Sequence, residues 1–146
     1  MPPAVEDGAL RDAPPASVAR RLLSLLYEAL LLLALLMIGA LPFVLFAHGA
    51  DRIAARPWFQ LYLLALAGAY FIWQWLRGGQ TLPMKTWRLR LVTRDGGPLT
   101  LRHGVQRFLF ALVGSLPFGA GFFWALLDRE RQFLHDRLAG TRIVNC

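Results

Sequence analysis

The sequence predicts an all-α membrane protein: two transmembrane helices, a third apolar helical segment broken by glycine and proline, and a small cytoplasmic β-hairpin or three-stranded sheet. Three observations predict it. The 146 residues are 56% hydrophobic, with a mean hydropathy of +0.44. The apolar residues gather in long blocks, whereas a chain of this size in water interleaves them with charge to present a polar face. The charges gather between those blocks, 16 Lys and Arg against 9 Asp and Glu for a net charge of +7. The length fits one domain.

This placement of charge argues against nucleic acid as a partner, because that use needs a soluble scaffold with a basic face. It fits anionic lipid headgroups and topology signals, so the bilayer is the expected partner. Cys146, the one cysteine, is the last residue. An intramolecular disulfide and a cysteine metal cluster are therefore excluded.

Residues 1–19 read as a disordered tail, with Pro2, Pro3, Pro14 and Pro15 discouraging a helix. Residues 20–146 form the membrane domain, with apolar segments at 22–46, 58–76 and 108–127. The first, Leu22 to Phe46, carries a single charge, Glu28. About 20 helical residues cross a ~30 Å hydrocarbon layer, so it is long enough to span. A cleaved signal peptide fits less well, because its apolar core runs only ~7–15 residues before a small-x-small site. The second block, Trp58 to Leu76, is uncharged and has Trp58 at one end and Trp73 and Trp75 at the other, as in an aromatic belt. Ala65, Gly68 and Ala69 offer a close approach to another helix.

Arg77 to Gly104 is polar and holds six basic residues against one acid, Asp95. The turn between the first two blocks holds two basic residues and the tail before them three. Positive charge stays inside during insertion, so the amino terminus and the polar stretch are expected in the cytoplasm of a multi-pass inner-membrane protein. Leu89 to Val92, a turn at Asp95-Gly96-Gly97-Pro98, and Leu99 to Leu101 suggest the hairpin. A lone hairpin is marginal in water. Thr141 to Val144 is β-branched and is expected to supply a third strand.

The third block, Phe108 to Leu127, is centred on Gly114-Ser115-Leu116-Pro117-Phe118-Gly119-Ala120-Gly121. It reads as a kinked third span or as two half-helices that turn back within the membrane. Arg129, Arg131, Arg137 and Arg142 after it, and the strand partner needed by the hairpin, favour the turn-back and a cytoplasmic carboxy terminus.

Arg21, Ser24 and Glu28 fall at i, i+3 and i+7 on one helix face. An acid in lipid is costly unless protonated, paired or facing a polar cavity. Glu28 is therefore either an ion or proton site whose charge Arg21 sets, or half of a structural pair that fixes packing. Arg107 opens the third block and either snorkels to the headgroups or pairs with Glu28 or Asp136. Gln60 and Gln74 read as interhelical hydrogen-bonding groups, with a lining role as the alternative. His135-Asp136 has no nucleophile or second base arranged around it. His48, His103 and His135 are too scattered for a metal site. No phosphate loop, serine elbow or paired-cysteine motif is present. No enzyme activity, cofactor or metal is expected.

Four runs taken together resemble the RDD family of small bacterial membrane proteins, over Arg20 to Val144. They are Arg20-Arg21-Leu22 with Tyr27-Glu28; Gly78-Gly79-Gln80-Thr81-Leu82 with Lys85 and Trp87 to Val92; Asp95-Gly96-Gly97-Pro98-Leu99 with Arg107; and Trp124 to Asp128 with His135 to Thr141. The resemblance makes Arg21 the family's Arg and Asp136 its second Asp. Glu28 stands where the family usually has Asp, and Pro83 where many members have Gly. The resemblance implies no settled activity; transport of an unknown ligand is the usual suggestion. The candidate functional residues are thus Arg21, Glu28, Arg107 and Asp136. The expected role is transport of an ion or small solute by a homo-oligomer. The alternative is a non-transporting adaptor or assembly factor that docks a cytoplasmic protein through the basic loop and carboxy-terminal segment.

Overall fold

A computed structural model describes residues 13–116, 120–129 and 132–146. Helix α1, Val18–Phe46, starts where the Ser17 side chain accepts from Arg20 N, and the chain turns extended at Ala47. Its 29 residues make a rod about 44 Å long at 1.5 Å per residue. A short α2, Gly49–Ala54, leads to α3, Arg56–Gly78, whose Pro57 sits in the first turn, where a missing N–H costs nothing. The two long helices pack through small residues. Leu66 lies against Gly39, where an added Cβ would meet it at 2.6 Å, and Phe43 and Phe59 stack at 4.1 Å.

Gly79 ends α3 in the left-handed conformation at φ 66. A Cβ there would run into the Leu91 carbonyl oxygen. The reversal it permits lets Gly79 O accept from Leu91 N at 2.7 Å. Thr81 then caps α4, Leu82–Thr86, with Pro83 in its first turn. Proline's fixed φ is helical there, which is how this chain tolerates Pro83.

Strand β1, Leu89–Thr93, pairs antiparallel with β2, Thr141–Asn145, from Leu89↔Asn145 to Thr93↔Thr141. This corrects the expected hairpin. Leu99-Thr100-Leu101 is no strand: Thr100 is the N-cap of α5, Leu101–Ser115, and shares a capping box with His103. Capping chemistry overrides β-propensity there. The carboxy-terminal segment is therefore the second strand of a two-stranded sheet. The foot of α1 closes the outer edge of β2, since Ala16 N donates to Ile143 O at 3.2 Å and Pro15 bridges Val144. Residues 13–19, expected within a disordered tail, are thus held by β2 or lie in α1. Residues 1–12 of that tail lie outside the described residues.

The third apolar block divides into α5 and α6, Ala120–Leu127. Its central Pro117, Phe118 and Gly119 lie outside the described residues. A Cβ on Gly121 would lie 3.1 Å from Gly114 Cα. Seven residues along a straight helix span about 10 Å, so the chain doubles back between the two glycines. It returns through α7, Leu134–Leu138, to β2.

Burial divides the molecule into two parts. Ala16, Trp75, Met84, Leu89, Leu91 and Ile143 form a core at the polar end. In the most apolar stretch of α1 no residue is buried, and in that of α3 17% are. Leu30, Met37, Ile38, Leu45, Trp58 and Leu61 stand exposed along these helices. A core helix of a soluble protein would be mostly covered, so these faces require an apolar solvent. Nor does α1 behave as a detachable leader, because Arg21, Ser24 and Glu28 are buried against the rest of the chain.

Candidate functional site

Where the apolar helices meet the polar end, charged side chains turn inward. Arg21, Ser24 and Glu28 form the buried stripe of α1, at 1%, 4% and 6% exposure. Both carboxylate oxygens of Glu28 are used. Tyr70 of α3 donates its hydroxyl to Oε1 at 2.8 Å, and Thr81 donates its hydroxyl to Oε2. Thr81 Oγ1 also accepts from Met84 N at 3.4 Å. One side chain thus caps α4 and binds the acid of α1. The longer reach of Glu over Asp spans that distance. Arg21 donates from Nη2 to Ile143 O at 3.2 Å, tying α1 to β2.

Arg107 of α5 is buried and paired with Asp136 of α7, which is wholly buried. Its Nη1 also donates to Thr141 Oγ1 at 3.4 Å, and its guanidinium lies 4.9 Å from the Trp75 ring centroid. The pair occupies the helix-to-strand turn, where Thr141 Oγ1 donates to Asp136 O at 3.4 Å. His135 Nε2 is 3.6 Å from Asp136 Oδ1. Burial first, and then the charge of Arg107, hold His135 well below the usual histidine range, so the ring stays neutral at pH 7. A second ion pair joins Asp128 to Arg137, and Asp128 also accepts from Gln132 N at 3.1 Å.

The groups from α1 and α5 face a cavity of about 50 Å³ lined by Arg21, Ser24, Glu28, Thr81, Arg107 and apolar side chains that include Phe71 and Trp75. Its volume suits one or two water molecules or a small ion, whereas an organic solute does not fit. Among the described residues, no group of three or more His, Cys, Asp or Glu is placed to hold a metal.

The four candidate residues read from the sequence therefore stand close together. Arg21, Glu28 and Arg107 line one cavity, and Asp136 lies behind Arg107. Arg107 is buried rather than snorkelling. The Glu28 carboxylate rests on two hydroxyls as well as facing the cavity beside Arg21. Gln74 Oε1 accepts from Leu82 N at 3.0 Å, so it holds the α3–α4 reversal rather than another long helix. Gln60 is exposed. His48 contacts Phe46 O and His103 caps α5, both far in role from a metal site.

Tyr70, Thr81 and Trp75 were not among the sequence candidates. Thr81 carried a signal, as a capping residue before Pro83 at a helix start. Tyr70 carried none beyond being a hydroxyl in an apolar run.

The chain is 35% identical over 79 residues to an uncharacterized protein of Rickettsia prowazekii (strain Madrid E), covering 52% of this chain and 42% of that protein. The match thus spans about two-fifths of the relative's length. No solved structure matches. The RDD family matches residues 15–140, a range that takes in both long apolar helices, the buried charges and the first strand; the chain belongs to the RDD family and is a membrane protein.

Proposed function

We propose that this protein moves a small ion or a proton across the bacterial inner membrane as a homo-oligomer, with Glu28 as the group that contacts it. The observation that carries this reading is Glu28 itself. It is a buried carboxylate in a span-length apolar helix, with both oxygens satisfied by hydroxyls and an adjoining cavity beside two arginines. A charge in such a place is expensive and persists where it serves a pathway or a site. The small size of the cavity supports an ion over a larger solute as the cargo. Two long helices cannot enclose a route by themselves, and the exposed apolar faces of α1 and α3 leave room for further copies. Basic residues of the tail and of the stretch after α3 support a topology with the sheet and both termini in the cytoplasm. The purified chain in vesicles should then pass protons or a monovalent cation, and Glu28→Gln should silence the flux.

The adaptor reading keeps one supporting observation: Lys85, Arg88, Arg94 and Arg102 are exposed at the polar end. Docking by strand addition is disfavoured, because α1's foot lies along β2 and the Gly79–Gln80 turn lies along β1. Crosslinking that yields one stoichiometric foreign protein would favour the adaptor. Self-crosslinks alone would favour the transporter.

A further inference from the structure

The reversal after α3 builds a second, polar pocket distinct from the buried charge site. It measures about 190 Å³ and is lined by Trp73, Gln74, Arg77, Gly78, Gln80 and Lys85. The sequence dictates its shape in three steps. Gly79 turns the chain left-handed at the end of α3. Gln74 Oε1 then accepts from Leu82 N at 3.0 Å, which ties the start of α4 to the last turns of α3. The Thr81 cap starts α4 so that Lys85 comes one turn later on the pocket wall.

Among the described residues, two cations and no acid line the pocket. Arg77 is fixed over the Trp73 ring, its guanidinium carbon 4.7 Å from the centroid. Stacking lowers the ordering cost of that side chain and leaves its N–H edge for an acceptor. Gln80 is anchored from below, donating to Leu89 O at 2.8 Å. Apolar surface adjoins it: Trp73, on the pocket wall, is 59% exposed, and Leu76, next in the chain to Arg77, and Leu82, whose N–H is held by Gln74, are 40% and 55% exposed. The pocket therefore sits where the apolar face of a span-length helix gives way to its polar end, which is headgroup level.

We propose that this pocket binds the phosphate-bearing headgroup of an anionic phospholipid, with Arg77 and Lys85 holding the phosphate and Trp73, Leu76 and Leu82 lying along the start of the acyl chains. The two unopposed cations set the preference. A zwitterionic headgroup would bring its own ammonium close to Arg77 and Lys85, whereas an anionic headgroup such as phosphatidylglycerol's brings none. The apolar rim selects a lipid over a free phosphate, which would gain nothing from it.

The test is native mass spectrometry of the full chain released from detergent with added phosphatidylglycerol or phosphatidylcholine. The wild type should retain phosphatidylglycerol in preference to phosphatidylcholine, and millimolar inorganic phosphate should not displace it. Arg77→Gln with Lys85→Gln should lower phosphatidylglycerol retention by about tenfold or more, given the usual worth of two basic groups near a lipid surface. Lys85→Gln alone, at an exposed position that does not endanger folding, should lower it by about threefold. Arg94→Gln with Arg102→Gln removes the same charge outside the pocket and should leave retention within about twofold of wild type. Equal retention of the two lipids would overturn the proposal. So would displacement by inorganic phosphate, or an equal loss in the two double variants.

Discussion

Arg107 and Asp136 form the most deeply buried Arg–carboxylate ion pair among the described residues, and a buried pair punishes partial removal. Breaking it at one end leaves the other charge uncompensated, at a cost of about 3–5 kcal/mol, whereas replacing both by apolar residues is often close to neutral. Arg107→Met and Asp136→Leu should each lower the melting temperature in detergent strongly, and the double variant should recover most of the loss. Additive losses would show that the pair does not act as a unit. His135 gives a pH prediction at the same scale. Its folded pKa lies well below the ordinary 6.5, so below pH 6.5 the unfolded chain binds a proton that the folded chain refuses. The neutral ring's contribution is fully present above pH 6.5 and declines on acidification, by up to about 1.4 kcal/mol per pH unit. Melting between pH 7 and pH 5 should fall more steeply in the wild type than in His135→Gln; parallel slopes would remove His135 from the account. Arg21, Glu28 and Arg107 were legible in the sequence because a charge within or beside an apolar run stands out, whereas Asp136 was picked out by the family resemblance. Their partners were not. Tyr70 and Thr81 become neighbours of Glu28 only through packing and a chain reversal, and no spacing rule places residue 28 beside residue 81.

Adjacent glycines at the end of α3 make opposite demands. Gly78 is helical with open space where a Cβ would go, whereas Gly79 has φ +66 and faces the Leu91 carbonyl. Gly78→Ala should therefore stabilise by up to about 0.5–1 kcal/mol, and Gly79→Ala should destabilise by about 1–3 kcal/mol or more. Thermal or denaturant melting of the two variants checks the sign directly. The long helices were readable from hydropathy to within a few residues, since α3 extends its apolar block by two residues at each end, and α1 ends with its block and starts one turn before it. The β-pairing was half readable. Leu89 to Val92 and Thr141 to Val144 are strands, but local propensity pointed to Leu99–Leu101 as their companion, and the capping box at Thr100 claimed that segment for a helix. The foot of α1 was misread for a related reason. Its prolines discourage a helix, yet they do not prevent an extended chain from lining the edge of β2.

The whole molecule is an exposed apolar pair of helices with a polar end that is folded by its own small core. Gly114 against Gly121 and the pairing of β2 with β1 bring the chain back to the end where it began. Reporters fused before Met1 and after Cys146 should therefore both be active in the cytoplasm, and one inserted at His48 to Ala50 outside it. An active external reporter after Cys146 would break the proposed topology. The proposed transport depends on the Glu28 carboxylate as the group an ion meets within the bilayer. The most direct measurement is proton and monovalent-cation flux into vesicles that hold equal, folded amounts of wild type, Glu28→Asp and Glu28→Gln. Flux is expected with wild type, a reduced but measurable flux with the shorter acid, and a loss of at least tenfold with the amide. Flux from Glu28→Gln equal to wild type, or no flux from wild type across the cation panel, would contradict it.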